Sequence, residues 1–117
     1  MIHILWCTIR PQQFINFHKV WMEKADNKEN IKTHVAVNWE QHKDELKDYP
    51  VDVVVVNTSK IGVCYPSYIL SSNLNCESDS DIVVFASDDF LPPAHWDTYL
   101  INKLNGIDGC LFVPDGY

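Results

Sequence analysis

The stretch DIVVFASDDFLPPAHWDTYLINKL, residues 81–104, carries three signals in a row. A short apolar run rich in β-branched residues occupies residues 82–86, then Ser87, Asp88 and Asp89 break it. Past Pro92 and Pro93, the apolar residues Trp96, Tyr99, Leu100 and Leu104 recur at spacings of three and four, and Gly106 supplies a stop. A run with no internal period predicts a buried strand, and the period that follows predicts a helix. The segment therefore reads as one βα unit with two carboxylates at its turn.

Working outward, the same alternation repeats. Residues 51–57 (VDVVVVN) are nearly all β-branched, the composition of a strand buried on both faces of a parallel sheet. Loop residues 58–62 lead to a helix over residues 65–74, with Tyr65, Ile69 and Leu70 on one face and Pro66 in its first turn. Toward the N-terminus, residues 2–7 (IHILWC) form a strand that stops at Arg10 and Pro11. A helix follows, whose spacing puts Phe14, Phe17, Trp21 and Ala25 on one face. Residues 33–38 (THVAVN) read as a strand, and residues 39–49 (WEQHKDELKDY) as a short exposed helix ended by Pro50. Residues 109–113 supply a last strand. The order βαβαβαβαβ predicts one three-layer α/β domain over residues 1–117, with a mostly parallel sheet and right-handed crossovers.

Composition agrees with a packed domain and excludes several classes of partner. The 117 residues are 46% apolar and 12% aromatic, enough for one core. A net charge of -7 without a cluster of Lys or Arg leaves no electrostatic footprint for nucleic acid. No apolar stretch approaches the roughly 20 residues that span a bilayer, and no basic segment leads into a long apolar one near the N-terminus. The expectation is a cytoplasmic protein. Cys7, Cys64, Cys76 and Cys110 are far apart, with no CxxC pair and no neighbouring His at zinc-ligand spacing, so free buried thiols are expected.

Asp88 and Asp89 are the chemical question. In an open α/β sheet, ligands bind beyond the carboxyl ends of the strands, where these two acids fall. Adjacent carboxylates repel unless a cation, a hydrogen-bond donor or solvent compensates them. Magnesium or manganese is a natural compensator, because each takes one or two protein carboxylates and completes its shell with water and phosphate oxygens. A metal-bound diphosphate would also reconcile an acidic chain with an anionic ligand, and Arg10 offers a second cation. The alternative is that the pair solvates a turn or caps the helix beginning near Pro93.

Four segments resemble the nucleotide-binding half of a GT-A-fold glycosyltransferase, close to the inverting family 2. CTIRP at residues 7–11 is similar to the family's strand-one signature, VVFASDDF at residues 83–90 to its metal motif, and LPPAHWDTYLINKL at residues 91–104 to the helix that follows. NTSKIGVCYPSYILSSN at residues 57–73 is similar to its strand-three loop and helix. The resemblance implies a GT-A/Rossmann-like nucleotide-diphospho-sugar transferase fold, truncated at its C-terminus. It implies a nucleotide-diphospho-sugar donor, a hydroxyl acceptor and a Mn2+ or Mg2+ ion. Asp88 and Asp89 are then the metal candidates, and Thr8, Arg10, Asn38 and Asp89 the donor candidates.

The chain departs from the family's pattern at several places. Ala86 stands where the motif's first Asp is usual, and Asn38 stands where an Asp commonly meets the base. Ser67 and Tyr68 replace the usual Arg and Asn, and the catalytic base would lie beyond Tyr117. The readings are an inverting glycosyltransferase or its donor-binding half, a non-catalytic nucleotide-binding remnant, or a receiver-like phosphoryl-handling domain. The last wants acids after strand one, where Thr8, Ile9 and Arg10 stand. Lys60, Tyr65 and His95 are lesser candidates for the site, and an unpaired edge at residues 109–113 would favour a homo-oligomer.

Overall fold

The computed structural model describes residues 1–56, 64–76 and 80–106. Their elements run β1 (Ile2–Cys7), α1 (Pro11–Lys24), a 3-10 turn (Lys28–Asn30), β2 (Ile31–Val37), α2 (Glu40–Glu45), β3 (Asp52–Val55), α3 (Cys64–Ser72), β4 (Ile82–Ala86) and α4 (Trp96–Leu104). The strands form an all-parallel sheet in the order β3-β2-β1-β4. The expected strand at residues 109–113 lies outside the described residues, as do Asn57 and the loop containing Lys60 and Gly62. No helix of the described residues is long and apolar enough to cross a membrane.

Local chemistry explains two of the helix boundaries. Pro11 opens α1, where its fixed φ suits the first turn and its missing N–H costs nothing. Gly106, with φ 74, follows α4 in the left-handed conformation that ends helices. The polar residue Asn38 lies just past β2, not within it, and β2 begins at Ile31, two residues before the expected start.

Alternation along the strands sorts side chains to two faces. Ile2, Ile4 and Trp6 of β1, with Val35 and Val37 of β2, pack against Phe14 and Trp21 of α1, Trp96 of α4 and Leu46 after α2. The other face carries Leu5, Ala36 and Val56 under Leu70 of α3. Trp21 is the centre of the first layer, meeting Trp6 at 5.9 Å and Trp96 at 5.1 Å between ring centroids, both edge to face. On α1 the buried set is Pro11, Phe14, His18 and Trp21, while Phe17 is half-buried.

Two strands read as fully buried are half-exposed. In β3, Val54 is 36% exposed, and in β4 Val83 and Phe85 are 39% and 58% exposed. Both strands are outermost among the described residues, and α3 packs over β1 and β2 in the centre. Composition reported their β-branched character, and only strand order shows which strands one helix can cover.

Candidate functional site

All four strands of the described residues run the same way, so their carboxyl ends share one rim. From β1 the chain moves to β2 on one side, and β4 returns on the other side of β1. The strand order therefore reverses between β1 and β4, the position where open α/β sheets form a crevice. The loop after β1 brings Thr8 and Arg10 to that point, and the loop after β4 brings Asp88 and Asp89.

The structure divides the two acids. Asp88 is buried, and its carboxylate faces inward. Oδ1 accepts from the Trp6 indole Nε1 at 2.5 Å and Oδ2 from the Thr8 hydroxyl at 2.6 Å. Its backbone carbonyl accepts from Gln13 Nε2 at 2.9 Å. Thr8 is also buried, and its hydroxyl oxygen accepts from the Arg10 backbone N–H at 3.0 Å. The compensation that two neighbouring carboxylates need thus comes, for Asp88, from donors of the β1 strand and loop. Asp89 is exposed and accepts a short bond from the Ser87 hydroxyl. The Arg10 side chain is largely exposed, with Nε 3.9 Å from Asp88 Oδ2.

Asn38 holds the corresponding place on β2. It is 6% exposed, and its Nδ2 has no hydrogen-bond partner among the described residues. A buried amide donor left unsatisfied costs about 1–3 kcal/mol, so an acceptor reaching it would be favoured. A bound ligand is one source of such an acceptor.

Whether this rim suits a hard divalent cation turns on its free oxygens. Both Asp88 oxygens are engaged inside the protein, while Asp89 keeps carboxylate lone pairs open to solvent. The donor set fits a cation held through one protein carboxylate, with other positions left to water and phosphate, and does not fit a two-carboxylate clamp.

Other candidates are placed elsewhere. The His95 Nδ1 pairs with Asp26 Oδ1 at 2.6 Å, which ties it to the end of α1. Tyr65 is exposed and stacks on Tyr68, with 6.5 Å between ring centroids. Cys7 lies at the end of β1 with Sγ 3.5 Å from the Ser67 hydroxyl, and burial pushes its thiol pKa up, which argues against a thiolate nucleophile. A broad groove of about 900 Å³, lined in part by His18, Lys19, Lys32 and Asp52, sits at the opposite rim and contains none of the predicted site residues.

Trp6 and Gln13, which secure Asp88, escaped the reading of the sequence. Trp6 looks like any core aromatic in an apolar strand, and nothing local marks its indole as a donor to a residue 82 positions away. Comparison with known protein families, with curated proteins and with solved structures finds no match to this chain.

Proposed function

We propose that this chain is the donor-binding half of a metal-dependent, inverting glycosyltransferase of GT-A type, taking a nucleotide-diphospho-sugar and serving transfer to a hydroxyl. The observation that carries this reading is the meeting of the two loops at the reversal of strand order. Thr8 and Arg10 stand on one side, and Asp88 and Asp89 on the other. In this reading Asp89 carries the divalent cation, Arg10 meets the diphosphate and Asn38 offers its Nδ2 to the base. Asp88 holds the two loops in register through Trp6 and Thr8. A divalent cation at Asp89 would offset the charge that gathers on the departing diphosphate.

Titration calorimetry with UDP-sugars and GDP-sugars tests the proposal. Binding is expected with Mn2+ present, reduced at least about tenfold by Asp89→Asn or by chelation. No binding of either donor class with Mn2+ would overturn it. The inward commitment of Asp88 leaves one free carboxylate, which also suits a remnant that binds without turnover. Donor hydrolysis in the same samples separates the two, since turnover that disappears in Asp89→Asn belongs to an enzyme.

A further inference from the structure

At the other end of the sheet, three side chains distant in sequence converge. His3 lies near the start of β1, Asp81 immediately precedes β4, and Cys76 follows α3. One ligand atom from each lies within 4.8 Å of the other two, and His3 Nε2 is 3.2 Å from Asp81 Oδ2. The side chains of His3 and Asp81 are each 5% exposed, while Cys76 is an exposed free thiol.

We propose that His3 Nε2, Asp81 Oδ2 and Cys76 Sγ bind a zinc-class divalent ion, with water in the fourth position. The donor types select the metal. An imidazole, a thiolate and a carboxylate suit borderline-soft Zn2+, whereas Mg2+ and Ca2+ prefer all-oxygen shells. The spacing is close to that of a bound state, because tetrahedral ligands about 2.0–2.3 Å from zinc lie roughly 3.3–3.8 Å from one another.

The surroundings already orient the ligands. His3 Nδ1 is 3.2 Å from His34 Nε2, so with the proton on Nδ1 donated to His34, His3 presents the lone pair of Nε2 toward Asp81. His34 Nδ1 in turn faces Asp52 Oδ2 at 3.9 Å. A ligating histidine commonly donates its second ring N–H in this way, which fixes its tautomer. The Met1 amine takes Asp81 Oδ1 at 3.0 Å, leaving Oδ2 as the oxygen on the His3 side. The bound ion would join the chain after α3 to the starts of β1 and β4. The proposal stands apart from the sugar-transfer reading, which concerns the opposite rim.

Co2+ titration of the metal-free, tag-free protein tests it. One equivalent should produce a thiolate-to-cobalt charge-transfer absorption with tetrahedral d–d bands, and Zn2+ should displace both. Cys76→Ser should remove the charge-transfer band, and Asp81→Asn should weaken binding at least about tenfold. A second measurement needs no variant: Zn2+ should slow alkylation of Cys76 in the native protein, and EDTA should restore it, as read by mass spectrometry. Absence of the band, its persistence in Cys76→Ser, or alkylation of Cys76 indifferent to Zn2+ would each overturn the proposal.

Discussion

Asp88 and Asp89 are neighbours in sequence, and truncating them should have unequal consequences for stability. Asp88→Ala leaves the buried Trp6 indole N–H and the Thr8 hydroxyl without their acceptor. A hydrogen bond to a charged group contributes about 1.5–3 kcal/mol, and a buried donor left unmade costs a similar amount. The Thr8 hydroxyl can turn to another acceptor, and the exposed Arg10 side chain at 3.9 Å adds little because solvent screens it. The net expectation is a loss of ~3 kcal/mol, dominated by the indole. For a chain of this length, with about 3–5 °C lost per kcal/mol, the melting temperature should fall by about 9–15 °C. Asp89→Ala removes an exposed carboxylate bonded to Ser87 alone among the described residues and should change stability by less than about 0.5 kcal/mol. Urea unfolding with matched slopes, alongside calorimetric melting, measures both variants. Equal effects in the two, or an Asp88→Ala variant as stable as the parent, would refute the inward role given to Asp88 and with it the division of labour at the rim.

Other expectations concern elements that position the site. Asp97, 2% exposed in the first turn of α4, accepts from the backbone N–H groups of Asp26 and Asn27 at 2.9–3.0 Å. Asp97→Ala should cost about 2–3 kcal/mol in urea unfolding and strip hydrogen-exchange protection from those two amides. His18 bridges the Tyr49 and Thr33 hydroxyls as a buried imidazole, and burial lowers its pKa from 6.5 to about 4. The unfolded chain takes up this proton first, so stability is full above pH 6.5, declines as pH falls toward 4 and levels below. The decline amounts to ~2 kcal/mol by about pH 5, and His18→Gln should lack this component when urea unfolding is compared at pH 7.5 and 5. The exposed His95 imidazole has its pKa raised by the hydrogen bond and then the charge of Asp26. NMR titration should find it above the ordinary histidine value, returning toward it in Asp26→Asn.

His95 also shows why periodicity alone misses contacts between elements. With φ 63 it occupies the left-handed region just before α4, and its backbone N–H donates to the Lys24 carbonyl at 2.8 Å. The Lys24 side chain reaches back to the Pro92 carbonyl at 3.1 Å. A residue in the helix-leading turn thus joins Trp96, Asp97 and Thr98 in fastening α4 to the end of α1, and no spacing in the sequence announces it. The Pro92 and Pro93 pair announces only where a helix is barred.

The order and type of every described strand and α-helix were legible from short-range pattern, because burying an apolar run or stripe is a local demand that each segment carries in its own residues. Thr8, Arg10, Asn38, Asp88 and Asp89 were legible as strand-end residues for the same reason. Direction and depth were decided only by tertiary structure. Asp88 turns inward because Trp6, from a strand far away in sequence, sets an indole N–H beside it, while Asp89 faces water. Strand order leaves Phe85 uncovered and, by pairing β1 with β4, sets His3 beside Asp81, while the chain leaving α3 brings Cys76 to them.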